Sequence, residues 1–340
     1  MPFRRGRSVV EAIAANLPLG LLRYGRRELL EALTGPHGVD LYLCGALEVI
    51  EPVVCVGYRL AYRRDAVVGH EQHRLVAKDR SKAKADAVAA RGIEPVVGSL
   101  DDAALLQDEA RAADAVVNAA SSDHRGAVEA LIAGLSGSGK PLIHSSGSSI
   151  VADLAMGEPS DRIFHEATPI EPHADKAARV AIDQRVLAAS GIRSVVLCNT
   201  MIYGNALGAQ SVQIPALVRQ AKASGVARYI GRGLNRWSNV HIADVAALYT
   251  LAIAKAPGGT FIYVESGEEA LGEISKAIAA RLGLGPAQPW SAEQAIAAWG
   301  RNMAVFSLGS NSRVRGKAAA DLGWSPTRRS VTRWIAEELT

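Results

Sequence analysis

From about residue 70 the sequence alternates between short apolar runs and helix-forming segments, and this alternation constrains the fold more than any other feature. Apolar runs such as "PLIHSS" (141–146) and "RSVVLCNT" (193–200) lack the polar alternation of a strand that faces water on one side. Strands buried on both faces and joined by helices form a parallel sheet with helices on both sides. We therefore predict an α/β fold built on a doubly wound parallel sheet.

The predicted elements divide the chain into three parts. The predicted strands are 73–77, 94–98, 115–120, 141–146 and 193–200, and the predicted helices between them are 81–92, 101–112, 125–134 and 176–190. Beyond residue 204 we predict helices at 211–224, 243–255, 270–282 and 291–299, with strand candidates at 228–231 and 260–264. This arrangement predicts a central domain at 53–204 and a smaller, mostly helical lobe at 205–340, set over the carboxyl ends of the strands, where such sheets bind ligands. Residues 1–52 do not fit this alternation of strands and helices.

Composition and charge exclude several classes of protein. The chain has 340 residues, a net charge of +4 and no long block of like charge, and its aromatic residues do not alternate with basic ones, so nucleic acid is not an expected partner. The three cysteines lie outside any metal or disulfide spacing, so we expect no metal and a reducing, cytoplasmic location. No apolar run approaches the ~18 residues of a membrane span. We expect a small-molecule substrate, and leave a homodimer open.

The stretch "VVCVGYRLAYRR" (53–64) breaks the pattern. It begins as a buried parallel strand should, with apolar residues leading to Gly57, but arginines and tyrosines follow. A dinucleotide fold needs glycines at this point, because the chain turns tightly and the pyrophosphate contacts backbone N–H groups at a helix N-terminus. The cluster "TGPHG" (34–38) lies between a helix-like and a strand-like segment, which is the reverse of the required order.

The segment "GHEQHRLVAKDRSKAKADAVAARGIEPVVGSLDD" (69–102) resembles the second strand, helix and third strand of the extended and atypical short-chain dehydrogenases, the NAD-dependent epimerase/dehydratase family. Further matches follow in the family's order over roughly residues 67–340. They are "DAVVNAAS" (114–121), "LIHSSGSSIVAD" (142–153), "VVLCNTMIYG" (195–204), "WSNVHIADVAALY" (237–249) and "LGWSPTR" (322–328). The resemblance implies a Rossmann-like fold that binds a nicotinamide nucleotide.

The resemblance also implies a tyrosine and a lysine four residues apart on one helix, since the lysine's charge stabilises the phenolate that exchanges a proton with the substrate. The corresponding segment "EPHADKAARVAIDQRVLAASG" (171–191) contains no tyrosine. In family register Asp175 stands at the tyrosine position and Arg179 at the lysine position, whereas a shifted register places Lys176 at the basic position. These three residues and Ser146 are the catalytic candidates, although Asp175 and Arg179 could equally form a surface ion pair.

The family pattern assigns further residues to the cofactor and the substrate. Lys78 and Arg80 end the second strand, and basic side chains at this point favour NADP over NAD. The other cofactor candidates are Gly57, Ser99, Leu100, Asn118, Ala119, Ala120, Asn199 and Thr200. The substrate candidates are Ser148, Tyr203, Trp237, Asn239, His241 and Arg313. We expect Trp237 and His241 to face the cleft between sheet and lobe, and Arg313 to clamp an anionic group.

These features favour an NAD(P)-dependent oxidoreductase of the atypical short-chain type that acts on a small polar or nucleotide-sugar-like substrate. Two alternatives stay open: a non-catalytic NAD(P)-binding sensor, and a member that has lost its cofactor. Back-translation of residues 57–64 permits, one nucleotide out of frame, the glycine loop ATGxxIG. We therefore hypothesise that the first ~65 residues come from a shifted reading frame or a misassigned start, and we expect weak or absent cofactor binding.

Overall fold

The computed structural model describes residues 53–59, 72–77, 94–205 and 211–340. The strands are β1 Val53–Arg59, β2 Gln72–Ala77, β3 Glu94–Val97, β4 Val116–Asn118, β5 Pro141–Gly147, β6 Arg193–Asn199, β7 Met201–Tyr203, β8 Arg228–Ile230, β9 Arg236–His241, β10 Thr260–Val264, β11 Gly267–Ala270 and β12 Gln288–Trp290. The α-helices are α1 Ala103–Ala112, α2 Arg125–Leu135, α3 Ala174–Leu187, α4 Gln213–Ser224, α5 Ile242–Lys255, α6 Leu271–Arg281, α7 Ala292–Trp299, α8 Arg301–Met303, α9 Ala318–Asp321 and α10 Val331–Glu338. The predicted helix at 81–92 lies outside the described residues.

A seven-stranded sheet with the order β10-β6-β5-β4-β1-β2-β3 carries the fold. Strands β4, β5, β6 and β10 pair in parallel, and so do β2 and β3. An apolar cluster packs α1, α2 and α3 against the sheet, and it includes Leu106 of α1, Leu131 of α2, Leu142 of β5 and Val186 of α3. The α/β sheet predicted from the apolar runs is confirmed.

Strand β1 departs from the prediction, because it runs antiparallel to both of its neighbours, β2 and β4. Val54 pairs with Asn118, the last residue of β4, and Arg59 pairs with Gln72, the first residue of β2. The chain therefore leaves β1 at the edge where β2 and β4 begin. In a parallel sheet it would leave at the carboxyl edge, where a glycine loop meets the cofactor.

Helices α1 and α2 pack unusually closely. A side chain on Gly134 would place its Cβ 2.5 Å from the carbonyl oxygen of Gln107 and 2.8 Å from Cβ of Ala110. Only a residue without a Cβ permits this approach, so Gly134 lets α2 lie directly against α1.

The C-terminal part of the chain contributes both to a separate lobe and to the large sheet. Two small sheets, β11-β9-β7 and β12-β8, join α4, α6, α7 and α10 around an apolar core that includes Trp237, Ile274 and Trp334. Strand β10 instead pairs with β6 and completes the large sheet. The lobe is therefore discontinuous in sequence. Among the described helices none combines the length and apolarity needed to cross a bilayer.

Candidate active site

Charged side chains meet where β4 and β5 end and α3 begins. Arg179 of α3 donates two hydrogen bonds to Asp123, from Nε to Oδ1 at 2.8 Å and from Nη2 to Oδ2 at 2.5 Å. It also donates from Nη1 to Oγ of Ser149 at 3.1 Å. The planar guanidinium matches a carboxylate in this two-point geometry, which fixes its orientation. The hydrogen bond from Arg179 lowers the pKa of Asp123, so this carboxylate stays charged.

Lys176 lies one turn earlier on α3 and is only 7% exposed. Its Nζ donates to Oδ1 of Asn302 at 2.9 Å and lies 5.0 Å from the centre of the Phe306 ring. Burial lowers the pKa of Lys176, and the charge of Arg179 lowers it further, against the opposing charges of Asp123 and Asp175. A buried ammonium with a lowered pKa is suited to proton exchange.

Asp175 occupies a different environment from its two neighbours on α3. Its side chain is 48% exposed and lies 3.6 Å from Arg301, at the surface of the helix N-terminus. The ring nitrogen of His173 accepts a hydrogen bond from the backbone N–H of Asp175 and caps the helix. Asp175 and Arg179 therefore do not form the surface ion pair that the sequence left open, because Arg179 turns inward to Asp123.

The catalytic candidate Ser146 is buried beneath the site. Its Oγ donates to Oδ2 of Asp183 at 2.6 Å, and Nε2 of His144 lies 3.5 Å from Oδ1 of the same carboxylate. The amide of Asn118, a cofactor candidate, lies 3.0 Å from Nδ1 of His144. These four side chains are each 1–5% exposed, so they form an internal polar network.

The remaining cofactor candidates fall into four groups. Thr200 donates to the backbone oxygen of Val264, while Asn199 donates to the phenol oxygen of Tyr249 and keeps its own Oδ1 buried without a partner among the described residues. Ala119 and Ala120 follow β4 at the carboxyl edge, and Ser99 and Leu100 follow β3. Gly57 lies inside β1. Lys78 and Arg80 lie outside the described residues.

Most substrate candidates are buried in the lobe. The indole of Trp237 is 3% exposed and donates to the carbonyl oxygen of Ser310, so it packs in the lobe core and does not line an open cleft. Ser148 is held by Ser312, whose Oγ lies 2.8 Å from it. Arg313 donates to Glu268 at 3.0 Å and to the carbonyl oxygen of Ser160 at 2.7 Å. The guanidinium that we expected to bind an anionic substrate group is therefore bound to the carboxylate of Glu268 instead.

Tyr203, His241 and Asn239 are also buried, at 1%, 6% and 0% exposure. The His241 ring meets the ring of Tyr203 edge-on at 5.3 Å and caps α5 by accepting from the backbone N–H of Ala243. His241 therefore does not face an open cleft either, because the cap and the ring contact hold it inside. The side chain of Asn239 has no hydrogen-bond partner among the described residues.

His241 should make the fold sensitive to acid. Burial lowers its pKa from 6.5 to about 3, and the charge of Arg328 adds to the shift. Between these two pKa values the unfolded chain binds a proton that the folded chain does not. The free energy of unfolding therefore decreases as the pH is lowered, by up to about 1.4 kcal/mol per pH unit. We expect His241→Asn, which keeps a cap acceptor, to flatten this slope in urea titrations from pH 7 to 4. An unchanged slope would contradict the assignment.

Sequence reasoning missed two residues of the site, Asp123 and Ser149. Ser149 belongs to the serine cluster after β5, but the family pattern drew attention to Ser146 and Ser148. Asp123 follows β4 in "SSDHRG", and a carboxylate just beyond a parallel strand is a signal that could have identified it.

Comparison with known proteins agrees with this architecture. The NAD dependent epimerase/dehydratase family matches residues 65–264. The oxidase ucsJ of an Acremonium species is 31% identical over 290 residues, which cover 73% of this chain and 83% of that protein. An uncharacterised protein of Schizosaccharomyces pombe is 28% identical over 285 residues, or 79% of this chain and 91% of that protein.

Two solved structures share the fold. The dTDP-glucose 4,6-dehydratase of Bacillus anthracis, in complex with NAD, has a TM-score of 0.60 and 17% identity over 76% of this chain and 82% of that one. The UDP-glucose 4-epimerase of Thermotoga maritima, with UDP-glucose, has a TM-score of 0.57 and 15% identity over 75% and 92%. The sheet and lobe thus define a Rossmann-like α/β protein of the short-chain dehydrogenase type. The chain belongs to the NAD-dependent epimerase/dehydratase family.

The described residues fit only part of the dinucleotide that this family implies. Small residues after β4 leave room at the carboxyl edge, and the buried Oδ1 of Asn199 offers an acceptor. The pyrophosphate half does not fit, because antiparallel β1 delivers the chain to the opposite edge of the sheet. The glycine loop on which such a pyrophosphate rests is therefore missing from the described carboxyl edge.

Proposed function

We propose that the protein descends from an NAD(P)-linked oxidoreductase or epimerase of the atypical short-chain type and retains its substrate site for a small polar or nucleotide-sugar-like molecule. The observation that supports this most strongly is the joining of Lys176, Arg179 and Asp123 at the carboxyl ends of β4 and β5. Ligands bind at this edge in open α/β sheets. The two fold relatives described above carry NAD and UDP-glucose, which supports the ligand class.

The three charged residues have separate roles in this proposal. Lys176 exchanges a proton with a substrate oxygen. The family assigns this task to a tyrosine, and α3 contains no tyrosine. Arg179 is oriented by Asp123 and Ser149 and stabilises negative charge on the substrate. The lowering of the Lys176 pKa by burial helps, because it makes the ammonium release its proton more readily to a substrate oxygen.

The choice of NADP over NAD remains a prediction from Lys78 and Arg80. A cytoplasmic location and a homodimer are likewise predictions from the sequence.

A second function is favoured by one observation, the antiparallel direction of β1. A chain that lacks the pyrophosphate loop can still bind a metabolite at the carboxyl ends of β4 and β5. On this alternative the protein is a binding or regulatory member of the family, and it would bind a nucleotide sugar without turnover.

A substrate panel separates the two functions. UDP-glucose, dTDP-glucose and small hydroxy compounds would be tested for stabilisation of the fold and, with NAD or NADP, for turnover. We expect Arg179→Gln to weaken binding of the active compound by about tenfold or more, the usual effect of losing a charged hydrogen bond of about 1.5–3 kcal/mol. The matched control is Arg185→Gln, since Arg185 lies on the same helix but pairs with Glu129. Equal losses in both variants would contradict the proposed site.

A further inference from the structure

One segment of the lobe contacts the first turn of α3 and its N-cap. This segment, residues 301–308, consists of α8 and a π-helical turn, Ala304–Leu308, and we refer to it as the strap. It follows Gly300, whose φ of +76° belongs to the left-handed region that favours glycine. Phe306 at the centre of the strap is 2% exposed.

The contacts of the strap converge on the first turn of α3. Asn302 accepts from Nζ of Lys176 at 2.9 Å, and the Phe306 ring lies 5.0 Å from the same nitrogen. The Phe306 ring also lies 5.0 Å from the His173 ring, the cap of the helix. Arg301 reaches Asp175 at 3.6 Å.

We propose that Asn302 and Phe306 are positioning residues that set the protonation and direction of the Lys176 amine. The side-chain oxygen of Asn302 is an acceptor for Nζ and thereby fixes the direction in which the amine points. This inference rests on the proposed role of Lys176 and deepens it. It assigns part of the active site to the lobe, 126 residues away in sequence.

The Lys176 ammonium has few partners among the described residues. A buried ammonium needs acceptors, and among the described residues Asn302 accepts a hydrogen bond from Nζ. The ring face of Phe306 adds a weaker attraction of about 0.5–2 kcal/mol. The charged or titratable groups that surround Lys176 are Arg179, Asp175 and His173 of α3 and its cap, Asp123 after β4, and Arg301 of the strap.

Two substitutions at Asn302 should move the Lys176 titration in opposite directions. Asn302→Asp places a carboxylate beside the ammonium and raises the midpoint, whereas Asn302→Leu keeps the volume of the side chain but removes the acceptor and lowers it. A shift of one unit changes the deprotonated fraction below the midpoint tenfold. Competitive labelling with acetic anhydride between pH 6 and 11, read for each lysine by peptide mass spectrometry, measures this midpoint. We expect labelling of Lys176 at pH 8 to be about tenfold slower in Asn302→Asp and several-fold faster in Asn302→Leu.

The matched controls are Asn205→Asp and Asn205→Leu, since the Asn205 amide is exposed and donates to Glu338 far from Lys176. They should leave the Lys176 profile unchanged. A strap that only covers the lysine would open in both Asn302 variants and shift both midpoints in the same direction, which would overturn the proposal. Equal midpoints, or a Lys176 equally unreactive in all chains, would overturn it too. Labelling needs no turnover, so it can fail or succeed independently of the proposed function.

Discussion

In a chain whose residues 57–64 are restored to the glycine loop, which we expect to bind the nicotinamide cofactor, replacing Lys176 by methionine should lower kcat by about 10²–10⁴-fold on any substrate that the panel identifies, the usual contribution of a positioned general acid. Methionine preserves most of the length of the side chain and its packing against Phe306 while removing the amine. The proton exchanged with the substrate oxygen then has no donor on α3. Steady-state kinetics on the purified variant would measure the loss.

The control for this substitution is Lys276→Met, because Lys276 is an exposed lysine of α6 that pairs with Glu273. In the same restored chain it should leave turnover unchanged. A Lys176→Met chain that keeps its kcat would show that Lys176 does not exchange the proton with the substrate. A higher KM with unchanged kcat would mean that the lysine only binds substrate.

Replacing Asp183 by alanine should reduce the free energy of unfolding by about 3 kcal/mol. The carboxylate is 3% exposed, accepts from Ser146 and faces Nε2 of His144. Its loss leaves the Ser146 hydroxyl without its acceptor and His144 Nε2 without the nearby carboxylate, and each buried polar group left unsatisfied costs about 1–3 kcal/mol. Urea unfolding followed by circular dichroism would measure the change.

Asp108→Ala provides the contrast, since Asp108 of α1 forms an exposed pair with Arg111 and both side chains are more than half accessible. Exposed pairs contribute about 0–1 kcal/mol. If the two alanine variants lose the same stability, the network around Asp183 is not the structural element that we describe.

The large sheet could be predicted because its strands are buried on both faces. A run such as Val195–Leu197 has no polar residue to place toward water, so its sequence alone specifies a central parallel strand. The helix α1 could also be predicted from its sequence, and its first residue follows the N-cap Asp102. The short strands of the lobe escaped prediction, since three- and four-residue strands such as β7 and β11 carry too little periodicity.

The candidate site was only partly predictable for a related reason. Lys176 and Arg179 follow from the family register on α3, but the serine that meets Arg179 depends on where β5 ends and which side of the sheet each residue faces. Ser149 lies in the 3₁₀ helix Ser148–Val151 that follows β5, and the direction of a side chain in such a short helix does not follow the alternation of the strand before it. Asp123 meets Arg179 across 56 residues of sequence, a contact that local pattern does not contain.

The direction of β1 is the least predictable feature. Its apolar residues are compatible with either orientation, and only the missing glycines warned that the segment is unusual. The hypothesis of a shifted reading frame explains both observations. Sequencing the coding DNA tests it, because a single-base change near codons 57–65 should restore a GxxGxxG loop.

Titration of NADPH and NADH against the full chain, followed by thermal unfolding, tests most directly whether this chain lacks a working dinucleotide site. A ligand that binds only the folded state adds about 2.7 kcal/mol at one hundred times its Kd. We predict no stabilisation of this chain at millimolar cofactor, and clear stabilisation of a chain whose residues 57–64 are restored to the glycine loop. Saturable binding of either cofactor to the unaltered chain at micromolar concentration would contradict this.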